Sequence, residues 1–382
     1  MISHVSDHDP RPSLLALDRE GLGSLMARLD QPAYRARQIW RWLYVALATD
    51  VAQMTDLPLS LRERLAATTR LGSLRELSRQ EADDGLATKF LFGLPDGQSI
   101  ETVLMHYLDP ADEEEVTPGE VPHGSHTVCF STQVGCAMGC VFCATGQMGL
   151  VRDLDRGECL EQLLVCARHL RQHGERLSRV VFMGMGEPLA NWPATRGVIE
   201  TLVDPDGLAL SPRRLTVSTV GLVPGIHRLA ELGLPVRLAV SLHAADDALR
   251  SELVAVNRVY PLDEVLDACR AYQRALGRRI TFEYVLIRGV NDSIGQATDL
   301  ARRLRDFNGH VNLIPLNPTA GSPMRPSRYD DAAAFADRLR AEGLPTTLRM
   351  RRGIEIQAGC GQLRARDGEG LVGRTIPLLT RS

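Results

Sequence analysis

Three cysteines lie close together near the middle of the chain, in the segment GCAMGCVFC, as Cys136, Cys140 and Cys143. Thiolates with this C-x3-C-x2-C spacing can bind three irons of a [4Fe-4S] cluster and leave the fourth iron open for an external ligand. An open iron can bind the amino and carboxylate groups of S-adenosylmethionine and pass an electron to its sulfonium. The spacing therefore predicts radical S-adenosylmethionine chemistry on one cluster per chain.

A zinc site is the alternative interpretation of the same cysteines. Zinc would need a fourth ligand, which His126 or Cys129 could supply. We favour the cluster, because a zinc site leaves the polar residues at the predicted strand ends unexplained. Cys166 and Cys269 each lie at helical spacing from apolar residues, which predicts that they pack in the core. Nothing in the sequence distinguishes Cys159.

Length and composition predict a globular protein of two or three folding units, with 382 residues, 44% hydrophobic residues and a net charge of -3. No apolar run approaches the ~18 residues of a membrane span, and the first 20 residues lack the apolar stretch of a signal peptide. We therefore expect a cytoplasmic protein without membrane association. Eight cysteines also suit a reducing compartment, where thiols serve metals or catalysis.

The first third of the chain predicts helices and then strands. Residues 13–70 carry apolar residues at helical spacing, broken by proline turns, which predicts a small helical domain. Residues 88–93 and 99–105 alternate around a Pro-Asp-Gly turn and predict a strand pair, and the acidic residues 109–120 predict a solvated loop. We expect four units: an N-terminal helical accessory domain (1–85), the strand pair with its acidic loop (86–124), a barrel (125–350) and a C-terminal segment (351–382).

Six strand-like runs alternate with helical runs in the second part, at residues 128–134, 180–185, 213–219, 236–243, 279–287 and 311–315. This pattern predicts an α/β fold with parallel βα units, and six units predict a partial (βα)6 barrel, since closure would need two more. Chemistry in such a barrel lies at the carboxyl ends of the strands. Polar and glycine-rich residues follow these ends: GMGEP at 184–188, Ser218, Ser241, His243 and Asn317.

From about Gln31 to Leu363 the chain resembles the RlmN-type radical S-adenosylmethionine RNA methyltransferases. Four motifs carry the resemblance: IETV at 100–103, the run at 129–143, GMGEP at 184–188 and AGCGQL at 358–363. The last is the most discriminating, because ordinary radical S-adenosylmethionine enzymes lack it. The resemblance implies methylation at C2 of an adenine in 23S rRNA and in certain tRNAs. It also implies two S-adenosylmethionine molecules per turnover, an electron donor such as flavodoxin or ferredoxin, and a monomer.

The resemblance implies a role for each motif residue. Cys360 would accept a methyl group, lose a hydrogen atom from it to a 5'-deoxyadenosyl radical and become linked to the RNA base. Cys129 would release the product by forming a disulfide with Cys360, and Glu101 would accept the C2 proton. The residues placed around S-adenosylmethionine are Gly186, Glu187, Ser218, Ser241, Leu242, His243 and Asn317.

Two arginine-rich segments fit an RNA partner. Residues 34–42, YRARQIWRW, interleave arginines with aromatic residues. Ile39, Trp42 and Leu43 share a helical face, however, and the alternative is that this face packs in the core with at least one tryptophan. Residues 346–382 hold seven arginines against three acidic residues and flank Cys360.

Two other functions remain as alternatives. The sister family that methylates C8 of the same ribosomal adenine, and confers antibiotic resistance, shares every catalytic cysteine. We favour C2 because residues 351–356 resemble the C2 group. A non-catalytic zinc or iron-sulfur RNA-binding protein is the alternative from another class.

Overall fold

The computed structural model describes residues 9–108, 124–319, 322–349 and 356–363. The predicted acidic loop at 109–120, the arginines beyond residue 350 and residues 351–355 of the motif that favours C2 lie outside the described residues. None of the described helices is long and apolar enough to span a membrane.

The N-terminal part contains the predicted helices, α1 (Arg19–Arg28), α2 (Tyr34–Tyr44) and α3 (Leu59–Thr68). Asp18 caps α1 by accepting a hydrogen bond from the Gly21 amide at 2.7 Å. On α2 the buried tryptophan is Trp40, whereas the helical face shared with Ile39 and Leu43 had favoured burial of Trp42. The Trp42 indole instead donates to the Asp56 carboxylate at 2.5 Å near the surface.

Twelve strands follow among the described residues: β1 (Arg75–Glu81), β2 (Ala87–Gly93), β3 (Ser99–Leu108), β4 (Gly124–Cys129), β5 (Gln133–Gly135), β6 (Leu150–Asp153), β7 (Leu177–Phe182), β8 (Leu215–Thr219), β9 (Arg237–Ser241), β10 (Ile280–Leu286), β11 (Gly309–Pro315) and β12 (Thr346–Leu348). Ten of them form one sheet in the order β1-β2-β3-β4-β7-β8-β9-β10-β11-β12. Strands β4 and β7 to β12 are parallel, whereas β1 to β3 extend the sheet by antiparallel pairing. The predicted partial barrel is therefore present, with β12 as an additional parallel strand.

Two features of the sheet differ from the sequence prediction. Strand β1 lies within residues 1–85, where helices were expected. Its seven residues are all exposed, so the alternation of buried and exposed residues that would predict a strand is absent. The run 128–134 is divided into β4 and β5, because Ser131 between them is buried and bonded through its hydroxyl to the Glu101 carbonyl and the Met185 amide. The cysteine loop follows β5, which pairs antiparallel with β6.

Eight further helices complete the described fold: α4 (Ala144–Met148), α5 (Arg156–Gln172), α6 (Trp192–Val203), α7 (Val223–Glu231), α8 (Asp247–Leu253), α9 (Leu262–Leu276), α10 (Ile294–Leu304) and α11 (Tyr329–Ala341). Cys166 on α5 and Cys269 on α9 are fully buried, so their predicted role in core packing is confirmed. Cys159 on α5 is buried as well.

A pair of buried histidines lies on the outer face of β3 and β4. The Nδ1 atoms of His106 and His126 are 2.9 Å apart, and His126 Nε2 lies 3.1 Å from the Glu175 carboxylate. His126 and Cys129 point to opposite faces of β4, because side chains alternate along a strand. His126 therefore does not join the cysteines as a zinc ligand.

We expect the free energy of unfolding to decrease as the pH falls from about 6.5 to about 4. Burial, reinforced by the charge of His126, lowers the pKa of His106 to about 4. The unfolded chain then binds a proton that the folded protein excludes, which costs at most about 3 kcal/mol. Urea unfolding of a His106→Gln variant should show a smaller pH slope in this window, and an unchanged slope would contradict the assignment.

Candidate active site

The three clustered cysteines lie on the loop between β5 and α4. Gly135 has φ +76°, and a Cβ there would lie 1.9 Å from the Gly149 carbonyl, so only glycine lets the chain turn into this loop. Cys143 occupies the N-terminal cap of α4, where backbone amides lower the pKa of its thiol against the larger effect of burial. Cys136, Cys140 and Cys143 line one cavity at the carboxyl ends of the parallel strands, the upper cavity.

The thiols of the upper cavity fit an iron-sulfur cluster. Burial raises the pKa of all three thiols, so they ionise only beside a compensating positive charge, which iron supplies. Among the described residues, no three His, Cys, Asp or Glu side chains converge closely enough to hold a metal ion. A cubane cluster binds each thiolate at a different iron, so three thiols on the wall of one cavity fit three irons of a cluster.

The 184–188 loop forms another wall of the upper cavity. A Cβ at Gly184 would lie 2.4 Å from the Phe130 carbonyl oxygen, which explains why glycine is needed there. Gly186 has φ +105° and exposes its backbone to the cavity. The buried Glu187 carboxylate accepts hydrogen bonds from the Leu189 and Val220 amides, and burial raises its pKa to about 7. Its carboxylate can receive an ammonium group.

The predicted residues at the other strand ends divide into two groups. Ser218, Ser241, His243 and Asn317 line the upper cavity. Burial lowers the pKa of His243 to about 3, so its ring is neutral, and its Nδ1 accepts a hydrogen bond from the Val285 amide at 3.1 Å. The Leu242 side chain is buried away from the wall, so Leu242 can contribute to the site only through its backbone.

The segment around Cys360 packs against the cluster loop. The Asn317 amide donates to the Cys360 carbonyl at 3.0 Å, and the Gly361 carbonyl accepts from the Ala144 amide at 2.8 Å. The Thr145 hydroxyl donates to the Leu363 carbonyl at 2.6 Å. The last two bonds join residues more than 200 positions apart, and all three place the solvent-accessible Cys360 thiol on the wall of the upper cavity.

A second cavity, the lower chamber, lies inside the barrel on the other side of Cys360 and has a volume of about 300 Å³. Cys129 at the end of β4 and Cys360 both line it, so the structure brings these two predicted catalytic cysteines together. Burial, with the charge of Cys360, raises the pKa of the Cys129 thiol. Glu101 lies outside the walls of both cavities, where its carboxylate is 3.2 Å from the Lys89 ammonium.

Known proteins match this chain over most of its length. Residues 130–301 match the radical SAM superfamily, and residues 13–71 match the ribosomal RNA large subunit methyltransferase N-terminal domain. A probable dual-specificity RNA methyltransferase RlmN of Chloroflexus aurantiacus is 49% identical over 90% of each chain. The chain belongs to the RlmN family. The dual-specificity RNA methyltransferase RlmN 1 of Myxococcus xanthus is 48% identical over 94% of this chain and 95% of its own.

A solved structure supports the same assignment. The crystal structure of a radical SAM methyltransferase from Sphaerobacter thermophilus has a TM-score of 0.87 and 48% identity, and covers 93% of this chain and all of its own. As an RlmN-family member, the chain is an S-adenosylmethionine-dependent radical methyltransferase, and its superfamily implies a [4Fe-4S] cluster and S-adenosylmethionine. The non-catalytic alternative is therefore wrong.

Sequence reasoning missed Arg250, a fully buried residue of the RlmN-family fold. Its guanidinium donates to the Val220 carbonyl at 2.6 Å and to the Ser241 and Leu242 carbonyls at 3.1 Å. These carbonyls belong to the loops after β8 and β9, so Arg250 holds together two strand ends that form the upper cavity. No pattern distinguishes Arg250 from the other arginines, because its role depends on contacts between distant loops.

Two charged residues of the lower chamber were also missed. Glu283 on β10 is buried and accepts a hydrogen bond from the Asn312 amide at 2.6 Å. Arg349 Nη1 lies 4.0 Å from Cys360 Sγ, so this guanidinium brings a positive charge beside the thiol. The sequence did contain a signal for Glu283, because a single carboxylate within the largely apolar run ITFEYVL indicates a buried charge with a specific role.

Proposed function

We propose that this chain methylates C2 of an adenine in 23S rRNA and of an adenine in tRNA, in keeping with the dual-specificity names of its relatives. The observation that carries the proposal is the position of Cys360 between two cavities. The cluster cysteines line the upper cavity, Cys129 lines the lower chamber and Cys360 lines both. The Cys360 sulfur can therefore take a group from the cofactor side and present it to a base beside Cys129.

Adenine C2 requires a radical route, because it is an electron-poor sp2 carbon and cannot attack a sulfonium methyl group. When bound to Cys136, Cys140 and Cys143, one [4Fe-4S] cluster per chain supplies the electron that cleaves S-adenosylmethionine to a 5'-deoxyadenosyl radical. Two S-adenosylmethionine molecules are consumed per turnover, one as methyl donor and one as radical source. We assign their binding to the strand-end residues Gly186, Glu187, Ser218, Ser241, His243 and Asn317, with the Leu242 backbone.

The protein's own thiols carry the group transfer. The Cys360 thiolate attacks the methyl group of one S-adenosylmethionine, and S-adenosylhomocysteine leaves. After this carbon has become bonded to C2, the Cys129 thiolate attacks the Cys360 sulfur. A disulfide forms, and the bond between the Cys360 sulfur and the carbon breaks with its electron pair left on the carbon. The carbon takes up a proton and stays on the RNA as the methyl group.

We propose Glu101 as the acceptor of the C2 proton. It lies on the same face of β3 as Val103, which lines the lower chamber and pairs with Cys129. Its ion pair with Lys89 must open before the carboxylate can reach a base in the chamber.

The N-terminal helices offer one surface for RNA. Tyr34 is 52% exposed with the Arg35 guanidinium stacked 4.8 Å from its ring centre. A groove beside it is lined by Arg37, Arg41 and Trp42. Cations and aromatic rings together suit phosphates and unstacked bases. We further propose a cytoplasmic monomer that receives electrons from a flavodoxin or ferredoxin.

The test is nucleoside mass spectrometry after anaerobic reaction of the cluster-loaded protein with S-adenosylmethionine and either a 23S rRNA transcript or tRNA. We expect 2-methyladenosine from both RNAs, and S-methylcysteine at Cys360 in protein treated without RNA. Formation of 8-methyladenosine would instead establish the C8 activity. Absence of the methyl group from Cys360 would overturn the proposed mechanism.

Alanine at Gly359 should slow the methylation of Cys360 by on the order of 10²-fold. A Cβ there would lie 2.6 Å from Asn317 Nδ2 and 2.8 Å from Gln362 Oε1, the two groups that hold this loop. The Cys360 thiol would therefore move away from its place in the upper cavity. The rate of S-methylcysteine formation at Cys360 measures the effect. Gly23→Ala, where a Cβ meets open space, is the matched control, and equal rates in both variants would contradict the argument.

A further inference from the structure

Basic side chains surround the lower end of the barrel, where its parallel strands begin. Five of them lie within the first three residues of one of five successive strands, β7 to β11, or directly before it: Arg179, Arg214, Arg237, Arg279 and His310. We call these five residues the mouth cations. The four arginines are exposed and His310 is half-buried. This end of the barrel is opposite the one at which the cluster cysteines lie.

The mouth cations belong to the inward-facing rows of their strands. Alternate residues of a strand share a face, so Arg237 precedes Ser241 of the upper cavity, and Arg279 precedes Glu283 of the lower chamber. Arg237 and His310 themselves line the lower chamber. The chamber that begins between these cations ends at Cys129 and Cys360.

The charges of this group repel one another. Partial burial of the guanidinium, and then the charges of Arg179, Arg278 and Arg279, lower the pKa of Arg237. Burial and then Arg279 and Arg349 lower the pKa of His310. A site that holds several cations this close gains free energy when an anion binds between them.

Ion pairs between described residues include none of the four mouth arginines. Among the described residues, Arg179 and Arg214 donate to neutral oxygens, of Ser125 and Ser178. Arginines on the outer helices behave differently, since Arg196 pairs with Glu200, for example. The mouth cations therefore offer their charge to an external ligand.

We infer that the RNA backbone lies across this mouth, with its phosphates on the mouth cations, and that the target adenine enters the lower chamber from the N-terminal end of the barrel. The inference rests on the proposed function, which makes RNA the substrate. Arginine suits this role because its planar guanidinium binds phosphate oxygens in pairs.

The size of the lower chamber fits one base that has left its stack. Its volume of about 300 Å³ is at the lower limit of small-molecule sites, and it is too small for paired bases. Enzymes that act on a base usually extrude it into such a pocket. S-adenosylmethionine in the upper cavity and adenine in the lower chamber would then reach Cys360 from opposite sides, without competing for one entrance.

The test uses the cluster-loaded full chain with Arg237→Gln and Arg279→Gln combined, and a 23S rRNA transcript that contains the target adenine. Binding is measured over a series of KCl concentrations. We expect affinity to fall by on the order of tenfold or more, and the slope of log K against log salt to decrease by about 1.4, since each phosphate contact to a single strand contributes about 0.7. The inference is overturned if affinity and slope match those of the parent protein.

Two further variants sharpen the test. Arg196→Gln with Arg302→Gln removes the same charge from the outer faces of α6 and α10, where both residues are paired with acids, and should bind RNA like the parent. Arg237→Lys with Arg279→Lys keeps the charge at the mouth and should retain the parent's salt slope. If it instead loses slope as the glutamine pair does, although thermal unfolding shows it folded, charge at the mouth is not what holds the RNA.

Failure of this inference and failure of the proposed function are distinguishable. Should the parent form 2-methyladenosine while the glutamine pair binds RNA equally well, only the entry route is wrong. Should the parent form no methylated adenosine on this transcript, the proposed function fails and the inference fails with it.

Discussion

Replacing Cys360 with alanine is expected to abolish RNA methylation, with a loss on the order of 10³-fold or more. Of the eight cysteines, Cys360 alone lines both the upper cavity and the lower chamber. No other thiol can take a methyl group on the cofactor side and carry it to the base. The measurement is 2-methyladenosine formed per protein chain under anaerobic conditions.

Loss of activity in this variant should not arise from unfolding. The Cys360 side chain is exposed, so its removal leaves little apolar area uncovered, and we expect an unchanged midpoint of thermal unfolding. Cys360→Ser retains the shape of the side chain but lacks the sulfur nucleophile, and it should be as inactive as the alanine variant. Substantial 2-methyladenosine formation by either folded variant would exclude Cys360 as the carrier of the methyl group.

Local patterns in the sequence were sufficient to predict that the cluster cysteines and most of the strand-end residues line one cavity, the upper cavity. The cluster cysteines share one short loop, and the strand-end residues follow apolar runs whose β spacing is visible in the chain. In a parallel sheet such ends must meet at one edge. Ser218, Ser241 and Asn317 therefore lie around one cavity, as expected from their positions alone.

Other features depend on long-range contacts and could not be predicted. Arg250 acts through carbonyl groups of loops that meet only in the folded barrel. The break between β4 and β5 depends on Ser131, whose partners lie 30 and 54 residues away. The mouth cations are separated along the chain by helices, and only the order of strands in the sheet reveals that they form one group.

The position of Cys129 explains why its replacement should trap an intermediate instead of preventing the reaction from starting. Cys129 is absent from the walls of the upper cavity, so methyl transfer to Cys360 should not require it. It lines the lower chamber, where no cysteine other than Cys360 accompanies it. Without the Cys129 thiol, the link between Cys360 and the RNA can form, but no second sulfur can release it.

We therefore expect Cys129→Ala to accumulate a covalent adduct of protein and RNA, with less than one product molecule per chain. Denaturing gel electrophoresis of labelled transcript detects the adduct, and peptide mass spectrometry locates it at Cys360. Cys166→Ala removes an equally buried thiol from the core behind the sheet, and should turn over without adduct. If Cys129→Ala also turned over without adduct, the release step would have to use a group other than Cys129.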